Sequence, residues 1–183
     1  PVGKTPGALV PLGFWLFHYA YRTVVFPLLM RPSARTFPVL LVLFAIAFNA
    51  LNGYNNSQAV LHNAAAYVPW TRAHFWIGAG IFLCGFAIHS HSDLLIRNLR
   101  RPGEAGYAIP RGGMFRWVSS PQYLGEIIQW AGWAVLTWSL AGLAFALFTF
   151  CNLAPRALSN QAWYRQRFPD YPADRKALIP GLL

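Results

Sequence analysis

An all-α, polytopic transmembrane helical bundle is the fold this sequence predicts, on three observations. Over 183 residues, 56% are hydrophobic and 11% charged, which is too apolar for an ordinary soluble domain of that length. The apolar residues gather into five long segments joined by short polar connections. The cations, finally, are one-sided. Taking alternate segment ends, Arg31, Arg35, Arg97, Arg100, Arg101, Arg111, Arg116, Arg156, Arg165, Arg167, Arg175 and Lys176 share one side; Lys4 and Arg72 fall on the other, and Arg22 sits within the first segment. Such an excess marks the cytoplasmic face, so the Arg-rich side and the C-terminus are expected there. Eight Trp and eight Tyr agree, because these rings collect where hydrocarbon meets headgroups.

The first segment runs from about Ala8 to Met30, and the second from Phe37 to about Leu51. A span needs roughly 20 mostly apolar residues, so the second must continue through Asn52 to Gln58, whose polar groups then have to face protein or a cavity. The third covers Ala73 to about Leu99, the fourth Ser120 to Trp138 and the fifth Leu140 to about Phe168. No repeat or low-complexity tract interrupts them, and the Pro/Gly loop from Arg101 to Gly113 is too short for a domain boundary. One domain, 1–183, is expected. The opening Pro-Val-Gly-Lys has neither a basic n-region nor a small-residue cleavage site, so it does not resemble a signal peptide.

The net charge of +10 invites nucleic acid as a partner, but the basic residues lie at the ends of apolar runs and not on a soluble face with interleaved aromatics. Anionic lipid headgroups and a phosphorylated small molecule remain as partners. Cys84 and Cys151 each fall inside an apolar run without C-x-x-C spacing, which argues packing residues.

Helical phasing brings chemistry into view. Glu126 lies within the apolar run Trp117 to Trp138, where a charge costs roughly 2.5–3.5 kcal/mol and is expected to have a ligand or partner. Gln122 and Glu126 share a face that continues through Gln129 and Trp133, behind a start signal, Ser119-Ser120-Pro121. An ion pair with a nearby Arg is the plain structural role for Glu126. On the third segment His89, Asp93, Arg97 and Arg100 form one stripe, for which an Asp93 to Arg97 pair at a solvated helix end is the simpler account. His89 and His91 fall on different faces, so no metal site is expected. On the fifth, Asn152, Arg156, Asn160 and Tyr164 recur every four residues, facing either a ligand or a watery vestibule. The connecting loop has no dinucleotide or P-loop glycine fingerprint, so phosphates would be held by guanidinium groups. In the first segment Trp15, His18, Tyr19 and Arg22 occupy adjoining faces; the Tyr19 phenol is placed to donate to a ketone oxygen, or is an interhelical Tyr.

The segments RNLRRPGEAGYAIPRGG (Arg97 to Gly113), QYLGEIIQWAGW (Gln122 to Trp133) and YRQRFPDYPADRKALIP (Tyr164 to Pro180), with HYAYRT at His18 to Thr23, resemble the steroid 5α-reductase family over nearly the whole chain. The resemblance implies an integral, multi-pass membrane protein of seven helices, of which the first two are missing from the five segments here, in a bacterial inner membrane or an endoplasmic reticulum. It implies NADPH-dependent reduction of the C4–C5 double bond of 3-oxo-Δ4 steroids, by hydride transfer to C5 and protonation at C4. Position by position, cofactor contacts fall on Arg35, His89, Asp93, Arg97, Arg100, Tyr107, Gln122, Glu126, Arg156, Asn160, Tyr164 and Arg175, and the carbonyl-binding Tyr on Tyr19. Gln122 and His89 stand where vertebrate members tend to have Asn. The Glu that joins the Tyr at the ketone has no match in this chain. A membrane methyltransferase acting on isoprenylated cysteine with S-adenosylmethionine, whose cofactor has no phosphates for these Arg residues to neutralise, and a non-catalytic lipid-binding membrane protein are the other readings.

Overall fold

A computed structural model describes residues 6–29, 38–66, 68–99 and 107–183. Helix α1 (Pro6–Ala20) runs directly into a π-helical turn (Tyr21–Val25) and a last α turn, α2 (Phe26–Leu29). Then come α3 (Val39–Ala66), a 3₁₀ turn (Pro69–Thr71), α4 (Ala73–Asn98), a second 3₁₀ turn (Gly113–Arg116), α5 (Pro121–Thr137) and α6 (Leu140–Arg167). Each predicted segment is mainly helical over its described residues, which contain no strand beyond an isolated parallel bridge between Val118 and Lys176. The second segment does continue, to Ala66, and α3, α4 and α6 are each long and apolar enough to cross a membrane. The architecture is an all-α, membrane-type bundle.

Two expectations need correction. Within Asn52 to Gln58 only Asn56 is fully buried, donating through Nδ2 to Asn52 O (3.0 Å) and Asn52 Oδ1 (2.9 Å), while Tyr54, Asn55 and Gln58 are exposed. The helix solves part of the polar problem within itself, by bonding one amide back onto the preceding turn. Cys84 and Cys151 are free and exposed rather than packed inside, because they sit on outward apolar faces of α4 and α6, where a small hydrophobic thiol is compatible with lipid.

Contacts group the chain into two compact units, Pro1–Gly78 with Ala134–Phe145, and Ala79–Trp133 with Ala146–Leu183. In the first, Phe75 is buried and meets Phe14 edge-on at 6.3 Å, and Phe145 receives Trp15 at 5.5 Å and Phe48 at 6.4 Å. The α5–α6 corner turns on Trp138, whose φ of 47° is left-handed. Asn63 Nδ2 donates to Thr137 O (2.9 Å), satisfying an end carbonyl of α5, and Ser139 Oγ caps α6 by accepting from Gly142 N (3.0 Å). The N-terminal half of α3, Val39 to Leu51, is exposed at every residue and almost wholly apolar, as contact with lipid requires.

The second unit is built on an unusually close approach of α4 and α5. A Cβ on Gly85 would lie 2.6 Å from Gly125 O and press on Gln129 N; one on Gly125 would lie 2.7 Å from Gly85 O and press on His89 N. Only glycine lets the backbones meet so, and the contact presents the Gln122–Glu126 face of α5 to His89 of α4. Phe82 and Trp130, both buried, cross edge-on at 6.1 Å beside it. The C-terminal tail closes the unit. Ser119 N donates to Lys176 O (2.7 Å), Ser120 N to Ala177 O (3.1 Å) and Lys176 N to Trp117 O (2.9 Å), while Ala177 and Leu178 bury against Val118, Leu124 and Ala157.

Candidate functional site

Most of the predicted cofactor residues belong to the second unit, and four of them meet. His89 is 1% exposed; its Nδ1 donates to Gln122 O at 3.2 Å and lies 3.9 Å from Glu126 Oε2, while its Nε2 lies 3.3 Å from Asp93 Oδ2. Both ring nitrogens therefore face acceptors, and two carboxylates from different helices converge on one imidazole. Among the described residues the side chain beside Glu126 is the His89 imidazole, and not the Arg expected from sequence. Asp93 pairs back to His89 one turn earlier, at 9% exposure. Such a cluster in an apolar surrounding is costly unless its acceptors are used, and the Glu126 side chain keeps 19% exposure through which to use them.

A second group gathers where the tail docks. Arg175 is 4% exposed; its Nη1 donates to Pro110 O (3.2 Å), its guanidinium lies 5.0 Å from the Tyr171 ring centre, and its Nε has no acceptor among the described residues. No carboxylate among the described residues lies within 4.0 Å of it to balance the charge. Tyr171 Oη donates to Ser119 Oγ (2.7 Å), and Ser119 Oγ donates to Lys176 O (2.9 Å), which pins the tail. Tyr164 stacks on Tyr171 at 5.4 Å, and Asn160 Nδ2 donates to Ser120 Oγ (3.3 Å) at the start of α5.

The remaining assignments are looser. Arg97 is half-buried, its Nε without an acceptor among the described residues. Tyr107 is 45% exposed and meets Trp163 edge-on at 4.8 Å. Arg156 and Asn152 are exposed, so of the expected α6 stripe only Asn160 and Tyr164 turn partly inward. Arg35 and Arg100 lie outside the described residues. Tyr19 belongs to the first unit, half-buried on α1, its Oη donating to Asn49 Oδ1 at 2.9 Å. Sequence reasoning missed Asn49: with Asn52 and Asn56 at i+3 and i+7 it opens a polar stripe on an apolar helix, and that spacing was the available signal.

These residues can be set beside known proteins. The family model described as 3-oxo-5-alpha-steroid 4-dehydrogenase matches residues 35–183. The chain is similar to 3-oxo-5-alpha-steroid 4-dehydrogenase 1 of Macaca fascicularis, at 46% identity over 93% of this chain and 65% of that protein. It is similar to the Mus musculus protein of the same name, at 46% over 100% of the chain and 71% of the other, and to Steroid 5-alpha-reductase DET2 of Solanum lycopersicum, at 45% over 97% and 70%. The chain thus spans about two thirds of the length of the curated relatives it matches. With that identity along almost its whole length and the family model met over residues 35–183, the chain belongs to the 3-oxo-5-alpha-steroid 4-dehydrogenase family.

Proposed function

We propose that this chain carries the cofactor and carbonyl sites of an NADPH-dependent reductase of 3-oxo-Δ4 steroids, adding hydride at C5 and a proton at C4. Arg175 carries the reading. A guanidinium 4% exposed, balanced by no carboxylate among the described residues and holding an unused Nε–H, calls for an anion, and guanidinium matches phosphate oxygens. The site chemistry fits a dinucleotide. Arg175, with Arg35, Arg97, Arg100 and Arg156, would meet phosphate; Asp93, Glu126 and Gln122 would accept from ribose hydroxyls or a carboxamide; Asn160, His89, Tyr107 and Tyr164 would complete the contacts. Gln122 Oε1 is itself a buried acceptor with no donor among the described residues.

NADPH, when bound, supplies the hydride. The protein orients it, excludes water and steadies the charge that grows on the 3-oxo oxygen. Tyr19 is the residue we assign to that oxygen, since its phenol can donate there as negative charge builds. The Arg-rich side faces the cytoplasm in this reading, where the cofactor is drawn from solution, and the steroid comes from the bilayer.

Membranes bearing the full-length protein test it. Incubation with a 3-oxo-Δ4 steroid and NADPH should yield the 5α-reduced ketone by mass spectrometry, with NADH at least about tenfold less effective because the 2′-phosphate needs an Arg partner. Equal use of the two cofactors, or no reduced product, would refute it. Glu126→Gln keeps shape and removes the charge that holds a ribose or amide donor, so NADPH affinity in a fluorescence titration should fall about tenfold, the difference between charged and neutral hydrogen bonds. An unchanged affinity would leave Glu126 as a structural partner of His89.

A further inference from the structure

Tyr19 does not stand alone in its unit. Its Oη lies 2.9 Å from Asn49 Oδ1, and the other end of that amide is fixed, because Asn49 Nδ2 donates to Ala45 O at 2.8 Å. With its nitrogen spent on the backbone of its own helix, Asn49 turns its oxygen to the phenol. An amide oxygen only accepts, so the single Tyr19 proton points at α3. The ring is fixed as well: Trp15 and His18 lie 5.1 and 5.2 Å away, and Thr23 Oγ1 donates to Tyr19 O (2.6 Å) where the helix widens into its π turn.

We propose that Asn49 is a positioning residue that holds the Tyr19 proton in the resting enzyme, so that a carbonyl substrate obtains it only as negative charge builds on its oxygen. The inference rests on the reading of Tyr19 as donor to the enone oxygen. The ordering follows from acceptor strength. An amide oxygen accepts better than a ketone oxygen and worse than an enolate oxygen, whose bond is charge-assisted and about twice as strong. While the enone is merely bound, the proton stays with Asn49; as hydride addition turns the 3-oxo group towards an enolate, the hydroxyl rotates to it. The bond to substrate is then made in the transition state and not in the ground state, but in exchange for the bond to Asn49, so what Asn49 withholds is ground-state ketone binding and not turnover. Substrate and product share the 3-oxo group, so a phenol free to bond any ketone would retain the product as firmly as the substrate. Asn49 also satisfies the hydroxyl when no steroid is present, as an apolar surrounding demands.

Steady-state kinetics of Asn49→Leu in the full-length protein test this. Freed of its acceptor, Tyr19 bonds the ground-state ketone, so the KM for the steroid should fall about fivefold, the worth of one neutral hydrogen bond, with kcat within about twofold of the parent. The 5α-reduced ketone should inhibit correspondingly more tightly. Asn49→Ala, which removes the same acceptor with less bulk, should repeat the pattern, and neither change should move KM in a Tyr19→Phe background. A merely structural role would instead raise KM or lower kcat in both backgrounds. A steroid KM unchanged or raised in both Asn49 variants overturns the proposal. If Tyr19→Phe itself turns over at the parental rate, the donor reading fails and the proposal falls with it; if Tyr19→Phe is slow but the Asn49 variants leave KM unmoved, only the role of Asn49 is lost.

Discussion

Replacing Gly125 with alanine should cost a large share of this chain's stability, as should Gly85→Ala, whose Cβ would press on the same pair of backbones. At Gly125 the new Cβ would stand 2.7 Å from Gly85 O and 2.9 Å from His89 Cα, and it would press on His89 N, all of them backbone atoms in a facing helix. A flexible side chain could swing away; a helix backbone has to move as a body. Overpacking of a close-packed interior costs about 1–3 kcal/mol when side chains yield, and the rigid neighbours here put the expectation at the upper end or beyond. For a chain of this size that is roughly 6–12 °C in a thermal melt of detergent-solubilised protein. Gly80→Ala is the control, since a Cβ there meets nothing within 4 Å and gains helix propensity instead. If Gly125→Ala melts with the parent, α4 and α5 are not held at glycine distance. Cofactor affinity should fall with stability in the same variant, because His89, whose backbone is displaced, is also the residue that joins Asp93 to Glu126.

That coupling shows why part of the site was legible in sequence and part was not. Periodicity reports which residues of one helix share a face, so His89 with Asp93, and Gln122 with Glu126, could be paired from spacing alone. It does not say what a face looks at. Glu126 finds an imidazole from α4 where an Arg was expected, and the pairing depends on two glycines forty residues apart in sequence. The α6 stripe shows the same limit: spacing aligned Asn152 with Tyr164, yet Asn160 and Tyr164 are half-buried, against Ser120 and Tyr171, while Asn152 and Arg156 are exposed. Helix extents were the easiest to read, since apolar length and a Pro or Ser at the boundary fix them locally; the fourth and fifth segments match α5 and α6 within a residue or so. The docking of Lys176 beside Val118, between stretches with no apolar period of their own, left no comparable trace.

Tyr19→Phe should produce the largest catalytic loss. The substitution keeps the ring beside Trp15 and His18 and removes the hydroxyl that donates to Asn49. Folding should therefore change by about the worth of that bond, roughly 0.5–1.5 kcal/mol. Catalysis has more to lose, because the phenol is the donor assigned to the oxygen on which charge develops, and removing one such donor costs ~10²- to 10³-fold in turnover, about 2.7–4 kcal/mol. NADPH affinity should stay at the parental value, since the residues proposed to hold the cofactor phosphates and ribose are others. The measurement is steroid-dependent NADPH oxidation by the full-length protein, alongside a cofactor titration on the same sample. Turnover within about threefold of the parent, less than 1 kcal/mol of barrier, would remove Tyr19 from the chemistry. Reduced turnover with equally reduced NADPH affinity would make it a structural residue whose loss disturbs the cofactor, and only a selective fall in turnover places the phenol at the reacting carbonyl.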